Sequence, residues 1–76
     1  NTINSNSINI FPNPTNGIVY INKTNIKSSI QLIDVQGKIL NQFDSQNMNE
    51  SIDLTLYDGN VFILKVDEHI FRVIKE

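Results

Sequence analysis

Side chains that could support catalysis are few in this sequence and are not grouped. His69 is the only histidine, so a metal site with two imidazole ligands cannot form, and a lone imidazole between two strands is usually a solvated turn residue. The chain has no cysteine, and none of its six serines lies in a nucleophile-elbow pattern. We therefore expect no catalytic residue, no metal ligand and no cofactor, and we do not expect an enzyme.

The acidic residues and the glycines are also dispersed along the chain. Asp34, Asp53 and Asp58 lack the alternating acidic spacing of a calcium-binding loop. The three glycines stand singly in separate turns, which excludes a loop that cradles phosphate. These residues are better explained as turn formers and solvated side chains.

Basic residues offer one small cluster near the end of the chain. Lys65, Arg72 and Lys75 lie there, but Asp67–Glu68 and Glu76 lie among them. Six Lys and Arg against eight Asp and Glu give a net charge of −2. Nucleic acid and anionic membrane surfaces attract clustered positive charge, which this chain lacks. A membrane span needs about 18 consecutive apolar residues, and the sequence has no run of that length. Neither nucleic acid nor direct membrane insertion is therefore expected.

Size and composition indicate one small all-β domain. A chain of 76 residues buries only about 60% of the surface that its unfolded form exposes, which leaves no room for a deep catalytic cleft. Thirteen Ile, five Val and no Ala favour strands, because β-branched side chains suit a pleated surface. Twelve Asn indicate turns, since Asn bonds to nearby backbone and tolerates left-handed conformations.

Short apolar runs separated by turn residues predict seven strands, and no segment has a sustained helical period. The predicted strands are residues 8–11, 17–22, 29–35, 38–43, 51–54, 61–67 and 69–75. The expected fold is a small antiparallel immunoglobulin-like β-sandwich of about seven strands. A small closed barrel is the competing architecture.

A proline-rich turn follows the first strand. Pro12 and Pro14 stop that strand, because proline cannot donate to a β-ladder and restricts the residue before it. We expect Asn13 to cap this turn by a bond from its side chain to the backbone, and Gly17 to leave the turn with an unusual φ.

A second turn joins the clearest hairpin, between the third and fourth strands. Gly37 is expected to supply the positive φ that a tight hairpin turn needs. Asp34 is expected to accept hydrogen bonds from backbone amides of residues 35–38.

The closing hairpin is apolar on both parities of its strands. Phe62, Leu64 and Val66 lie on one face of the first strand, and Val61 and Ile63 lie on the other. A two-layer sandwich covers only one face of each sheet. Either loops fold over the outer row, or that row is an exposed apolar stripe that docks a partner.

The opening segment differs in composition from the rest. Residues 1–7 are polar and dominated by Asn and Ser, and we interpret them as a linker from a preceding cargo domain. Residues 8–76 would then form the C-terminal module of a larger protein.

Four segments resemble the type A C-terminal sorting domain of the type IX secretion system, also called the Por secretion system. They are residues 10–17 (Ile-Phe-Pro-Asn-Pro-Thr-Asn-Gly), 30–40, 52–54 followed by 61–66, and 72–75. The Pro-Asn-Pro-Thr-Asn-Gly turn and the aliphatic-Asp-Val-Gln-Gly-Lys turn form a fairly specific combination. The resemblance covers residues 8–76.

The sequence departs from the family pattern at Tyr57-Asp58-Gly59-Asn60. The family usually has Leu, two small residues and then Gly at these positions. A gap-free alignment gives Asn60 the glycine position, so the resemblance predicts a positive φ at Asn60, with Gly59 helping.

The resemblance implies a folded sorting signal rather than an enzyme. Such a domain directs a larger cargo protein from the periplasm through the outer membrane of a Gram-negative bacterium of the Bacteroidota, to the cell surface or the medium. Its partners would be the outer-membrane translocon and its shuttle protein. A sortase-like surface peptidase would cleave near residues 1–7, where an unpaired backbone can enter a protease, and the domain itself is expected to be a monomer.

The expected recognition surface lies on the closing hairpin. We expect it to contain Val61, Ile63, Lys65, Arg72 and Lys75. An edge strand in this hairpin offers a second mode of recognition, by strand addition.

A different class of function stays open at this point. An immunoglobulin-like carbohydrate-binding or adhesion accessory module of a secreted hydrolase would present an exposed aromatic platform, for which Tyr20 and Tyr57 are the plausible members. An inert spacer domain is the third alternative.

Overall fold

The computed structural model describes residues 8–24 and 26–76. These residues form seven strands and one 3-10 turn: β1 (Ile8–Phe11), β2 (Ile18–Lys23), β3 (Ser28–Asp34), β4 (Ile39–Ser45), β5 (Asn49–Asp53), the 3-10 turn (Leu54–Leu56), β6 (Val61–Val66) and β7 (His69–Ile74). No helix in the described ranges is long and apolar enough to cross a membrane. The predicted linker, residues 1–7, lies outside the described residues.

The strands pack as two open antiparallel sheets. One sheet has the order β1-β2-β5 and the other β4-β3-β6-β7. The predicted β-sandwich of seven strands is confirmed, and the closed barrel is wrong. In a constant-type immunoglobulin domain the fourth strand pairs in the sheet of the first two, whereas here β4 pairs with β3.

The core lies between the inner faces of the two sheets. Strand alternation sends every second side chain inward, so β2, β3 and β6 each contribute a buried row. Burial of one such side chain stabilises the fold by about 1.5–3 kcal/mol relative to exposure. The buried apolar residues are Val19, Ile21, Ile30, Leu32, Ile52, Leu54, Phe62, Leu64, Val66 and Val73.

The crossing from β4 to β5 is shorter than the sequence predicts. β4 continues to Ser45 and β5 begins at Asn49, so the connecting loop is only residues 46–48. The Glu50 carboxylate accepts hydrogen bonds from Ser45 Oγ at 2.6 Å and from Asn47 Nδ2 at 3.3 Å. These bonds hold polar residues in extended structure although their hydrophobic pattern does not predict a strand.

Lys23 closes the same end of the sandwich from within. The residue is 2% exposed, and its Nζ donates to the carbonyls of Ile26 at 2.8 Å and Asn47 at 2.5 Å. A buried ammonium group is tolerated when hydrogen-bond acceptors surround it. Lys23 therefore ties two loops to the end of β2.

β5 ends one residue earlier than predicted. The Asp53 carboxylate accepts from the Thr55 N–H at 3.0 Å and caps the 3-10 turn that begins at Leu54. Leu54 is nevertheless fully buried. Leu54 therefore belongs to the core, but it lies in the 3-10 turn and not in the strand where the sequence predicted it.

Candidate functional site

Asn13 joins the proline-rich turn to the last strand. Its Nδ2 donates to the Arg72 carbonyl at 2.8 Å, and its Oδ1 accepts from the Ile74 N–H at 3.0 Å. A primary amide presents a donor beside an acceptor and so matches the free groups on a strand edge. The predicted bond from the Asn13 side chain to backbone is therefore present, but its partners lie on β7 and not in the turn that Asn13 was expected to cap. Pro12 and Pro14 flank it, both exposed and both preceded by cis peptide bonds.

Thr15 extends this pairing along β7. Its N–H donates to the Ile74 carbonyl at 2.8 Å, and its carbonyl accepts from the Glu76 N–H at 2.8 Å, which makes a parallel bridge with Lys75. We call Asn13 and Thr15 the clasp. Because the clasp occupies the outer edge of β7 from Arg72 onwards, strand addition to β7 is confined to the residues before it.

Gly17 is needed for space rather than for an unusual φ. Its φ is not positive, so the predicted conformation is wrong. A Cβ at this position would lie 2.6 Å from Thr55 Cγ2. The turn itself is closed by Thr15, whose Oγ1 accepts from the Gly17 N–H at 3.1 Å and donates to the Ile18 carbonyl at 2.6 Å.

The turn between β3 and β4 has the predicted chemistry. Asp34 Oδ1 accepts from the N–H groups of Gln36 and Lys38, each at 2.9 Å. Gly37 has a φ of 90°. Both expectations are confirmed, because this turn is built from residues adjacent in sequence.

The turn before β6 corrects the expectation for Asn60. Gly59 has a φ of 112°, and the φ of Asn60 is not positive, so the gap-free alignment that gave Asn60 the left-handed position is wrong. Asn60 instead pairs with the end of the chain: its carbonyl accepts from the Lys75 N–H at 2.6 Å and its Nδ2 donates to the Lys75 carbonyl at 3.2 Å.

Lys75 does not lie with the other predicted recognition residues. Its Nζ donates to the carbonyls of Leu54 at 3.2 Å and Tyr57 at 2.8 Å, and it lies 5.6 Å from the centre of the Phe62 ring. Lys75 thus bonds to the loop carbonyls at one end of the sandwich, as Lys23 does for the loops at the end of β2. Its role in the structure is to hold the turn before β6.

Sequence reasoning missed Asp67. Asp67 has a φ of 55°, and among the described residues other than glycine it alone has a positive φ. Its N–H donates to the Ser29 carbonyl at 2.8 Å, and its Oδ1 accepts from the Ser29 N–H at 2.9 Å. The sequence did contain a signal for this turn. Only two residues, 67 and 68, separate the last two strands, and Asp is a residue type that tolerates the left-handed region.

The outer side of the four-stranded sheet carries most of the predicted recognition residues. We call it the isoleucine face. Cross-strand pairs arrange it in three adjacent rows, which are Val61 with Ile74; Ile39 with Ile33, Ile63 and Arg72; and Gln42 with Gln31, Lys65 and Ile70. Of the five predicted residues, the structure brings together Val61, Ile63, Lys65 and Arg72.

The isoleucine face reaches solvent and carries positive charge. Ile70 on β7 is 67% exposed and Ile39 on β4 is 48% exposed, while Val61 and Ile63 on β6 are half-buried, so the face reaches solvent on its two outer strands. Within residues 8–24 and 26–76, neither Lys65 nor Arg72 has an ion-pair partner. The face therefore combines contiguous apolar surface with two cations that remain free for an external partner.

The outer side of the three-stranded sheet has a different character. We call it the aromatic–amide face. Its register gives three rows, which are Ile18 with Asp53; Phe11 with Tyr20 and Ser51; and Asn9 with Asn22 and Asn49. Tyr57 packs against the core instead, so the structure does not bring Tyr20 and Tyr57 together as one platform.

Titratable side chains are the groups that could hold a metal ion in the part of the chain that the structure describes. There, no three His, Asp or Glu side chains lie close enough together to hold a metal ion. His69 is exposed at the start of β7. The pKa of Asp53 is lowered, first by the hydrogen bond from the Thr55 side chain and then by the one from its backbone N–H. That shift has a structural cause, the cap of the 3-10 turn.

Comparison with known families identifies the chain. The family described as the secretion system C-terminal sorting domain matches residues 9–76, a range that contains the clasp, both hairpin turns and the isoleucine face. No curated protein and no solved structure matches the sequence. Since the family match extends over nearly all of the chain, this protein belongs to the secretion system C-terminal sorting domain family.

Proposed function

We propose that this domain is a non-catalytic signal that the type IX secretion machinery reads through its isoleucine face. Membership of the sorting-domain family means that the protein is exported through the outer membrane and is secreted or held at the cell surface. The proposal adds the surface that is read. The observation that carries it is the exposed apolar face with two unpaired cations on the closing hairpin.

The two outer faces of the sandwich carry different side chains. A β-sandwich needs apolar side chains only on the inner side of each sheet. The isoleucine face nevertheless has an aliphatic row across three of its strands, formed by Ile39, Ile33 and Ile63, and Arg72 continues this row on β7. Such a surface fits a protein partner that offers apolar side chains flanked by carboxylates. The outer-membrane translocon and its shuttle protein are the partners we propose.

Charge reversal on this face is the sharpest test. The whole chain would be fused behind a fluorescent protein directed to the periplasm, in a host that carries the secretion system. Lys65→Glu together with Arg72→Glu should reduce the exported fraction at least about tenfold. The two new carboxylates would repel the carboxylates that we propose on the partner. Export is measured as fluorescence in the medium and on the cell surface relative to the periplasm.

A matched control separates recognition from net charge and from folding. Lys27→Glu together with Lys38→Glu makes the same change in net charge at two exposed residues outside the face. This pair should be exported like the unmodified chain, and circular dichroism of all purified variants should show the same thermal transition. Normal export of the folded Lys65→Glu, Arg72→Glu variant would reject the isoleucine face as the surface that is read.

Cleavage by a sortase-like surface peptidase within residues 1–7 is part of the same proposal. Mass spectrometry of the exported fusion should then find a new N-terminus or C-terminus in that segment. Finding the intact fusion at the surface of a host with an active peptidase would contradict cleavage without affecting the sorting role. The alternative role, an accessory module of a secreted hydrolase, has no support from the family match.

A further inference from the structure

We propose that the aromatic–amide face is a second binding site, and that its ligand is a neutral oligosaccharide chain. This site lies on the sheet β1-β2-β5, whereas the isoleucine face lies on the other sheet. The inference therefore does not depend on the surface through which the domain is sorted.

Two aromatic rings form the apolar part of the site. Phe11 and Tyr20 are cross-strand neighbours, their ring centres are 5.9 Å apart, and their planes differ by 29°. Their side chains remain 49% and 45% exposed. Adjacent exposed rings that face nearly the same direction offer a platform for the apolar C–H side of a sugar ring, and such exposed apolar surface usually marks a binding site.

A row of amides lies directly beside the rings. Asn9, Asn22 and Asn49 pair across the three strands, two residues along each strand from the aromatic row, which is a separation of about 7 Å. Asn22 Nδ2 donates to Asn49 Oδ1 at 2.6 Å. That bond orients the Asn22 oxygen and the Asn49 nitrogen for other partners. Sugar hydroxyls both donate and accept, and so does this row.

Tyr20 stands between two shallow depressions. One has a volume of about 440 Å³ and is bordered by Asn16, Ile18 and Asp53. The other has a volume of about 240 Å³ and is bordered by Asn49 and Ser51. A chain of several sugar units could thus place one ring on Tyr20 and its neighbours on either side, where amide, hydroxyl and carboxylate groups are available.

The charges of the face argue for a neutral ligand. Among the described residues of its three rows there is no Lys or Arg, and Asp53 is the acidic one. Phosphate or sulfate groups would therefore meet no cation in these rows. Lys75, the cation whose charge helps to lower the pKa of Asp53, donates its hydrogen bonds to the carbonyls of Leu54 and Tyr57. A proline-rich peptide is the other ligand that exposed aromatic residues accept, but it has few donors, so it would leave the acceptors of the amide row unused.

The test uses the whole chain and three neutral hexasaccharides, namely cellohexaose, maltohexaose and mannohexaose. Tyr57→Phe leaves Tyr20 as the only tyrosine in a chain without tryptophan, so tyrosine fluorescence then reports on the site alone. At least one sugar should bind with a Kd of about 1 mM or tighter. Amide shifts in two-dimensional NMR should be confined to β1, β2, β5 and the loops around Tyr20.

Variants on the two faces decide the outcome. In NMR titrations, Tyr20→Ala should weaken binding about tenfold or more and Asn22→Ala about threefold. Ile39→Ala, on the isoleucine face, should leave the affinity unchanged. The proposal is overturned if none of the three sugars gives a saturable shift at about 10 mM, if Tyr20→Ala binds like the unmodified chain, or if hexaproline binds as tightly as the best sugar.

Discussion

At the scale of single residues, several side chains in this domain do two tasks at once. Thr55 is an example: its hydroxyl donates to Asp53 at 2.6 Å, while its methyl group fills the space that a Cβ at Gly17 would need. A small domain has few residues to spare, so neighbouring functions share one side chain. Both contacts can be tested separately.

Gly17→Ala should destabilise the fold by about 1–3 kcal/mol, because the new methyl overlaps Thr55 Cγ2. Thr55→Ser keeps the hydroxyl that Asp53 accepts and removes the methyl. The double variant should therefore recover most of the loss, as measured by urea unfolding in a double-mutant cycle. If Gly17→Ala costs the same in both backgrounds, the explanation by steric overlap fails.

Asp53 should make stability depend on pH in the acid range. Its pKa is lowered in the folded state by the two hydrogen bonds from Thr55. The stabilisation from its charged form is therefore complete above the unfolded-state pKa of about 3.9, and is lost as the pH falls towards the folded-state pKa. Asp53→Asn should unfold at lower urea than the unmodified chain at pH 6, and the difference between their midpoints should shrink towards pH 2.

Asp58→Asn is the control for the loss of a carboxylate elsewhere in the chain. If the midpoint difference for Asp53→Asn is the same at every pH, the Asp53 carboxylate does not stabilise the fold through its lowered pKa.

At the scale of elements, the last strand is held by contacts on both sides. β6 pairs with one edge of β7, and the clasp pairs with the other edge near its end. The proline-rich turn is thus bonded to the edge of the four-stranded sheet although β1 belongs to the other sheet. This arrangement connects the two layers at the point where the chain would otherwise leave an open strand edge.

Asn13→Ala should loosen the end of β7. Two hydrogen bonds at an exposed edge are lost, which should cost about 1–2 kcal/mol in total. The diagnostic measurement is amide hydrogen exchange, because the Ile74 N–H donates to Asn13 Oδ1 and should lose protection. Asn16→Ala, two residues before the start of β2, is the control and should leave that exchange unchanged. Full protection of Ile74 in Asn13→Ala would mean that the clasp does not depend on Asn13.

At the scale of the whole molecule, the last residues of the chain are part of the core and of its closure. Val73 is fully buried, and Lys75 donates to two carbonyls of the turn that precedes β6. The free energy of unfolding of a small domain is only about 5 kcal/mol. Removal of the end of the chain therefore tests folding before it tests recognition.

Deletion of residues 72–76 should abolish the folded state. The loss of a buried valine, the clasp partners and the Lys75 bonds together exceeds the stability of so small a domain. Circular dichroism and one-dimensional NMR should show an unfolded chain, and failure of export would then follow from unfolding. Deletion of Glu76 alone, which removes one hydrogen bond to Thr15, should leave the domain folded. A folded deletion of residues 72–76 that is not exported would instead place recognition in the last five residues.

What could be predicted from the sequence were features that depend on neighbours along the chain. The all-β class follows from β-branched composition and alternation, and the Asp34 and Gly37 turn follows from bonds that span at most four residues. Asp67 had the same kind of local signal but was missed, because Asp is common in turns of any conformation.

Only the tertiary structure decided the features that join distant parts of the chain. Asn13 bonds to Arg72, 59 residues away, Gly17 is required by the methyl group of Thr55, and Lys75 faces the turn before β6 instead of joining Lys65. The same is true of the rows on the two outer faces, which exist only once each strand has a partner and a register. The physical reason is that local propensity sets which residues are extended, whereas the packing of two sheets sets which extended residues meet.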